Sequence, residues 1–255
     1  MLRRAVTRFH FTALLAMLLA AGALACGFWP LLTASIATLF LAIGLGVAIP
    51  QLSFFGPFIC AGDRSKKQVA LTFDDGPDAR STPALLDLLR ENEIEAAFFV
   101  IGKKVDADPA LANRILREGH LLENHTYEHS YATNFYSTVK LTAELTRAQQ
   151  AIQKHTGTTP KYFRPPVGLS NPNTFHAAAA LRLKVIGWNI RSLDTKLTDP
   201  VRIVQRIERG LKPGAIILLH DGNIPVERLV VTVKLLLTKL REHGYEVVRL
   251  DRMLG

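Results

Sequence analysis

The sequence is poor in cysteine, and its first 62 residues contain no acidic residue. Its two cysteines, Cys26 and Cys60, both lie within those 62 positions, so the rest of the chain cannot hold a disulfide framework or a cysteine-based zinc site. The chain also lacks an internal repeat and a long run of lysine and arginine. Although the formal net charge is +9, the basic residues are dispersed among acids, and we predict no nucleic-acid partner.

The charges that are present divide the 255 residues into two parts. Three of the 31 basic residues lie in the first 62 positions, which leaves 28 basic against 22 acidic residues in positions 63–255. This second part has the composition of a globular domain, and the sequence excludes a strongly disordered or acidic chain. Its dispersed basic excess is typical of a solvated surface near an anionic membrane.

Two uncharged stretches predict a membrane anchor over residues 1–62. They run from Phe11 to Trp29 and from Leu31 to Ile49, and each is close to the ~20 residues that cross a bilayer as a helix. Pro30 lies between them, where a helical hairpin would turn. The aromatic residues at 54–58 suit an interfacial segment after the second span.

Basic residues flank the two spans on both sides: Arg3, Arg4 and Arg8 before them, and Arg64, Lys66 and Lys67 after them. The positive-inside rule therefore favours a multi-pass protein of a bacterial-type inner membrane with both ends of the hairpin in the cytoplasm. A signal peptide is the alternative, because Ala23-Leu24-Ala25 before Cys26 resembles a weak lipoprotein cleavage box. That alternative leaves the second apolar span unexplained.

After residue 62, short apolar runs alternate with amphipathic stretches. The runs predict strands at 68–73, 96–101, 120–124, 161–163, 184–189, 215–219 and 245–250. Helices are predicted to begin near Ser81, Asp108, Thr138, Asn171, Asp199 and Val226. Seven strands that alternate with six helices predict an α/β domain over residues 63–255 that is either a parallel barrel or an open sheet.

Polar residues able to do chemistry follow the ends of the predicted strands. They are Asp74 and Asp75 after the first, His125 and His129 after the third, Arg164 after the fourth, Asp194 after the fifth and His220 after the sixth. Because the carboxyl ends of parallel strands form one rim, we expect these side chains to share a site.

The spacing of the two histidines indicates a metal. His125 and His129 are four residues apart, so on a helical turn they would face the same way and could hold one ion together with a carboxylate. Two imidazoles, one carboxylate and an open position are typical of a hydrolytic zinc site. Taken alone, the acidic pair could equally be a turn and the histidines a surface pair.

Five motifs in this order resemble the polysaccharide deacetylases that carry the NodB homology domain, carbohydrate esterase family four. They are TFDDGP from Thr72, HTYEH from His125, RPPVG from Arg164, SLD ending at Asp194 and LLH ending at His220. The resemblance covers roughly residues 66 to 250. It implies a distorted (β/α)7 barrel that removes N-acyl groups from amino sugars with a divalent metal, usually zinc.

The resemblance also implies a role for each matching residue. The metal ligands would be Asp75, His125 and His129.

The remaining roles concern proton transfer and substrate binding. Asp74 would be the general base, oriented by Arg164, and His220 would protonate the leaving amine, tuned by Asp194. A backbone N–H after the second proline of RPPVG, that of Val167, would donate to the oxyanion. Val167 and Thr195 stand where the family often has an aromatic residue and a tryptophan, so the pocket wall differs.

These observations predict a membrane-anchored, metal-dependent N-deacetylase of an amino-sugar glycan. One alternative is a deacylase of a lipid-linked, polyprenyl-phosphate-bound amino sugar, which would explain the anchor. An alternative of another class is an inactive carbohydrate-binding protein. The side of the membrane is tied to the substrate, because relatives that act on exported polymers would place the site outside, against the charge flanks.

Overall fold

The computed structural model describes residues 7–255, so Arg3 and Arg4 of the predicted basic flank lie outside the described residues. It begins with two helices, α1 (Arg8–Ala25) and α2 (Trp29–Ala48), which pack against each other. Both are long and apolar enough to cross a membrane. The chain turns at 26–28, where Gly27 adopts a φ of +65°.

The two helices begin two to three residues before the predicted spans. Pro30 lies in the first turn of α2 and not between the helices, as the sequence had indicated. Proline is tolerated there because the first backbone N–H groups of a helix have no partner within the helix.

The α/β domain contains eight strands. They are β1 (Gln68–Gly76), β2 (Ala97–Val100), β3 (Leu121–Asn124), β4 (Tyr162–Phe163), β5 (Lys184–Val185), β6 (Ile190–Arg191), β7 (Ala215–His220) and β8 (Glu246–Val247). The helices between and after them are α3 (Thr82–Glu91), α4 (Gly102–Ala107), α5 (Pro109–Arg117), α6 (Thr138–Thr156), α7 (Pro172–Ala180), α8 (Pro200–Arg209), α9 (Val226–Glu242) and α10 (Leu250–Leu254).

Seven of the strands form a curled parallel half-barrel in the order β5-β4-β3-β2-β1-β7-β6, and β8 pairs with the start of β1. This confirms the predicted α/β class and the distorted barrel. In the register of β1 and β7, Asp74 lies opposite His220. Two residues far apart in sequence are therefore neighbours at one end of the sheet.

Alternation along the strands decides which side chains face the interior. Val69, Leu71 and Phe73 of β1 pack under the outer helices, whereas Ala70 belongs to the cluster inside the curl. Because side chains alternate with a period of two, Thr72 and Asp74 also point inward. The alternation along β1 thus places the Asp74 carboxylate inside the half-barrel, at the carboxyl end of the strand.

Two predicted strands differ from the structure. The predicted strand 184–189 is divided into β5 and β6, because the chain crosses the open side of the curl with Ile186 and Trp188 buried in the interior. The predicted last strand, 245–250, is reduced to β8, and Leu250 already begins α10. An apolar run shows burial but not pairing, so it could not reveal either break.

The segment 49–62, here called the connecting segment, is fastened to both parts of the molecule. Ile59 pairs with Ile186 and Ala61 with Ala215, so its end contributes to the sheet. Phe54 and Phe55 of the predicted interfacial segment are buried, and both rings contact Phe9.

Candidate metal and hydrolytic site

Three of the predicted ligands converge at the carboxyl end of the strands. Asp75 Oδ1 lies 3.1 Å from His129 Nε2 and 3.4 Å from His125 Nε2. One potential ligand atom from each residue lies within 4.8 Å of the others. Sequence spacing therefore identified residues that the fold brings together.

The local conformation behind this convergence differs from the predicted helical turn. Residues 125–129 form a loop after β3, in which Thr126 and His129 adopt φ values of +67° and +53°. Left-handed conformations are rare for residues other than glycine, so the loop must be held by its surroundings. Backbone hydrogen bonds from Gly102 and Lys103 to the carbonyls of Thr126 and Tyr127 hold it against the start of α4.

The donor set fits a divalent cation. His125 Nδ1 lies 2.7 Å from the carbonyl oxygen of Arg164, which can only accept, so Nδ1 carries a proton. Nε2 of the same ring faces the Asp75 carboxylate at 3.4 Å, so a cation between them could take both groups as ligands. Two imidazole nitrogens and a carboxylate with one ring fixed by a carbonyl are typical of zinc ligation.

Asp75 is ionised in this setting. Burial would raise its pKa, but hydrogen bonds and charge from His125 and His129 outweigh burial and hold the pKa well below its usual range. Lys104, which the sequence analysis had not selected, donates from Nζ to the backbone carbonyl of Asp75 at 2.7 Å. The carboxylate is thus available as a ligand at any moderate pH.

Asp74 is buried beside this cluster and is held by Arg164. Arg164 Nη1 donates to Asp74 Oδ1 at 2.7 Å, while Asp74 Oδ2 lies 3.9 Å from His125 Nε2. Arg164 itself is fully buried, donates to Thr72 and to the carbonyl of Gly187, and lies 4.1 Å over the ring of Phe99. Burial lowers the pKa of Arg164, and the Asp74 carboxylate opposes that change. One Asp74 oxygen is therefore fixed while the other faces the cluster.

His220 forms a second pair with Asp194. Its Nδ1 lies 2.8 Å from Asp194 Oδ1, and its backbone N–H donates to Asp194 Oδ2 at 2.8 Å. Burial would lower the pKa of His220, but the hydrogen bond and charge of Asp194, helped by Asp74 and Asp75, raise it to about 9. His220 is accordingly an imidazolium at neutral pH and can donate a proton.

Val167 lies in a 3-10 turn, Pro166–Gly168, at the same end of the sheet. Its φ is +60°, which is a strained value for a β-branched residue, and its side chain is partly exposed. Positive φ values recur around this rim, at Asp75, Thr126, His129, Val167, Leu193 and Asn223. Such concentrations of backbone strain are typical of functional sites.

Asp221, which directly follows His220, was not among the residues that the sequence pointed to. Its buried carboxylate accepts from Thr82 Oγ1 at 2.5 Å, and its carbonyl oxygen accepts from Ser81 Oγ. Burial raises the pKa of Asp221 to about 7. Asp221 thereby ties the loop after β7 to the start of α3, the helix that follows the strand carrying Asp75. No periodic signal marks this residue, because its role depends on a contact across 139 positions.

Comparison with known proteins places this geometry in a family. The family profile for polysaccharide deacetylase matches residues 61–186. A peptidoglycan-N-acetylglucosamine deacetylase of Bacillus cereus is 35% identical over 192 residues, which cover 74% of this chain and 89% of that protein. The chain belongs to the polysaccharide deacetylase family. The resemblance predicted from the five motifs is thus confirmed, and the names of its relatives agree with the predicted class of enzyme, a polysaccharide N-deacetylase.

Two further relatives show how the family varies around this domain. A peptidoglycan-N-acetylglucosamine deacetylase of Listeria monocytogenes is 34% identical over 192 residues; this region covers 75% of the present chain but only 40% of that longer protein. Among solved structures, a CE4 family pseudoenzyme from Bacillus anthracis superposes with a TM-score of 0.72 at 26% identity and covers 78% of this chain and 69% of that one. The shared fold therefore occurs in proteins described as enzymes and in one described as a pseudoenzyme.

Proposed function

We propose that this chain is a membrane-anchored, divalent-metal-dependent hydrolase that removes N-acetyl groups from the amino sugars of a glycan. The observation that carries the proposal is the convergence of Asp75, His125 and His129, with Asp74 and His220 opposite each other in the strand register beside them. A cation site flanked by a carboxylate and an imidazolium has the parts needed for amide hydrolysis.

The proposed ligands are Asp75, His125 and His129, and the ion is zinc or a similar divalent metal. Such an ion, when bound, polarises the amide carbonyl and acidifies a water molecule. Asp74 then accepts the proton of the attacking water through the oxygen that faces the cluster. Arg164 is a positioning residue, because its hydrogen bond fixes the other oxygen of Asp74.

Collapse of the tetrahedral intermediate requires a proton on the departing amine. His220 supplies it, since its raised pKa keeps the ring charged until the step occurs. Asp194 positions that ring and stabilises its charge. The N–H of Val167 donates to the oxyanion from the 3-10 turn that begins two residues after Arg164.

We also propose that residues 1–62 anchor the domain formed by 63–255 in a bacterial-type inner membrane through α1 and α2. Exposed apolar side chains along both helices support this, among them Leu14, Leu18, Phe40 and Leu41. With two spans, both ends of the hairpin lie on one side, and the basic residues that flank it favour the cytoplasmic side. A phosphatase reporter fused after Gly255 tests the side, since activity of the exported reporter would contradict it.

The inactive carbohydrate-binding alternative is disfavoured by the chemistry of the site. A binding protein needs no buried imidazolium beside a buried carboxylate, because burying such charges costs stability. Here Asp74 accepts a hydrogen bond of 2.7 Å from Arg164, and Asp194 lies 2.8 Å from His220 Nδ1.

The activity is tested with an acetylated chito-oligosaccharide and the full chain in detergent. Turnover should require metal, disappear with a chelator and return when zinc is added. Mass spectrometry of the product should show loss of acetate from the sugar nitrogen. Turnover that is unaffected by complete metal removal would contradict the proposed chemistry, and binding without turnover would favour the inactive alternative.

A further inference from the structure

Three large apolar side chains near the site are almost fully exposed. Tyr131, Phe135 and Val139 are 83%, 88% and 81% exposed, more than any large apolar side chain of α1 or α2. We call them the apolar rim patch. They lie on a 3-10 turn, Tyr131–Phe135, and on the first turn of α6. Exposed apolar side chains grouped in this way mark a surface that contacts something other than water.

The apolar rim patch lies beside the metal ligands. The ring of Tyr131 is 6.2 Å from the ring of His129 in an edge-on arrangement. The 3-10 turn that carries Tyr131 and Phe135 also contacts the turn Pro166–Gly168, which holds Val167. Whatever covers the patch therefore lies next to the entrance of the site.

A short series of hydrogen bonds connects the patch to the end of α2. Ser170 donates from its backbone N–H to the carbonyl of Val47, one residue before α2 ends. Next along the chain, the Asn171 side chain donates to the carbonyl of Asn134 and the Asn173 side chain to that of Tyr136. The end of the second apolar helix, the Val167 turn and the patch are thus neighbours on one face.

The orientation of the hairpin makes this face the one nearest the bilayer. The start of α1 lies on the connecting segment, since the Phe9 N–H donates to the carbonyl of Phe54 and Arg8 to that of Leu52. Gln51 of that segment donates in turn to the carbonyl of Trp188 in the domain. The turn at 26–28 is exposed at the far end of both helices. When α1 and α2 cross a membrane, the domain surface around Val47 must therefore meet the headgroups.

The charge of the patch region suits an anionic bilayer surface. Residues 130–143 contain no acid and one base, Lys140. The cavity at the opposite, amino-terminal end of the strands carries acids and bases together, namely Glu93, Glu95, Glu118 and Glu246 with Arg90, Arg249 and Arg252. The two acids that flank this stretch, Glu128 and Glu144, are paired with Lys103 and Arg147. A surface with exposed aromatic and aliphatic groups and no unpaired acid is typical of interfacial membrane contact.

We propose that the apolar rim patch inserts into the headgroup region of the bilayer and that the site takes amino sugars linked to a lipid, which are presented at the membrane surface. This inference rests on the proposed function, since it assumes the membrane anchor and the deacetylase chemistry. Val139 has no ring on which a sugar could stack, so a membrane contact accounts for the whole patch where a glycan contact accounts only for its aromatic members.

The contact is tested by fluorescence with the full chain in nanodiscs of phosphatidylcholine and phosphatidylglycerol. In a Cys26→Ser, Cys60→Ser background, a fluorophore is attached after Val139→Cys or, as a matched control, after Val231→Cys on α9, another exposed valine. Brominated lipids should quench the label at position 139 and not at 231. Equal quenching at both positions, or none at 139, would overturn the proposal. A chain that does not enter nanodiscs would contradict the anchor itself.

A second measurement separates the substrate classes. Phe135→Ser should lower turnover of polyprenyl-phosphate-linked N-acetylglucosamine in vesicles about tenfold and leave turnover of a soluble chito-oligosaccharide unchanged. Val231→Ser should change neither. Equal loss on both substrates would identify a sugar-binding surface, and loss on neither would also overturn the proposal. If the unsubstituted chain turns over neither substrate, the proposed activity is wrong, while the quenching result still decides the membrane contact.

Discussion

The two ends of the parallel sheet both carry many charges, but they hold them differently. The amino-terminal end has a cavity of about 440 Å³ lined by Arg90, Glu118, Arg249 and other charged residues. Its charges neutralise one another in partly exposed pairs, such as Arg252 with Glu95 at 2.6 Å and Arg249 with Asp251 at 2.8 Å. Such partly exposed pairs contribute little to stability.

At the carboxyl-terminal end the charges are buried and incompletely neutralised by the protein. Asp74 pairs with one arginine, whereas Asp75 faces the imidazoles of His125 and His129, a set of donors that a cation could bind. The difference shows that neither the size of a cavity nor the number of charges locates the chemistry. The chemistry is located by buried charges that lack a full set of partners. A fold retains such a costly arrangement where a ligand or reaction uses it.

Loss of a metal ligand should produce the largest difference between the two ends. His125→Ala should abolish both metal binding and turnover, because two ligands remain where zinc sites use at least three. Metal content by mass spectrometry and turnover are measured on the same sample. His243→Ala is the matched control, since His243 also pairs with a carboxylate, Glu208, but is exposed. Full metal occupancy in the His125 variant would show that the ligand assignment is wrong.

Removal of the proposed base should have the next largest effect. Asp74→Asn keeps the volume of the side chain and an oxygen for Arg164 but cannot accept a proton. We expect turnover to fall by roughly 10² to 10⁴ with metal content unchanged. Asp87→Asn, which alters a carboxylate paired with Arg90 and Arg114 on the surface, should leave turnover unchanged. Turnover near that of the unsubstituted chain would place the base elsewhere.

The pairing of Asp194 with His220 predicts a change in pH dependence. The rate should fall as the pH rises through the pKa of His220, about 9, because the ring then lacks the proton that the amine needs. Asp194→Asn removes the charge that raises this pKa, so the basic limb of the profile should move to lower pH. An unchanged limb would show that the two groups are not coupled.

The Asp194–His220 pair also predicts how the stability of the fold changes with pH. The pKa of His220 is raised on folding from 6.5, so its contribution is complete below pH 6.5 and is lost as the pH rises through about 9. The difference in melting temperature between the unsubstituted chain and Asp194→Asn, measured with metal removed, should therefore shrink between those values.

The smallest effect is expected at the amino-terminal end. Arg252→Gln removes the ion pair with Glu95, but the Arg252 side chain is 60% exposed. The free energy of unfolding should change by less than about 1 kcal/mol, with turnover and metal content unaffected. A large loss of turnover would mean that the two ends of the sheet are coupled and that the charges at the amino-terminal end influence the site.

Much of this contrast could be predicted from the sequence. Alternating apolar runs placed Asp74, Asp75, Arg164 and His220 after strands, and parallel pairing then brings such positions to one rim. The spacing of His125 and His129 indicated the cluster correctly but for the wrong reason, since the loop is not helical. Positive φ values at His129 or Val167 could not be predicted, because their steric cost is offset by contacts from distant parts of the chain.

Other features could not be predicted from the sequence because they depend on contacts between residues that are far apart in the chain. The contact of Phe54 and Phe55 with Phe9 joins residues that are 45 or more positions apart, so the sequence could not reveal it. Asp221 looks like a turn residue until Thr82 reaches it. A phenylalanine such as Phe135 is expected in the core from its residue type. Only the structure shows that its side chain is exposed.

The attachment of the connecting segment has a consequence for how the protein would work at a membrane. A free chain of the length of 49–62 could extend on the order of 45 Å and let a domain search the space above the bilayer. Here Ile59 and Ala61 are paired into the sheet, and Gln51 donates to the carbonyl of Trp188. An anchored protein with this rigid attachment would hold its site at one fixed height above the lipid. It would act on the sugar residue at that height and leave more distant residues of the same glycan untouched.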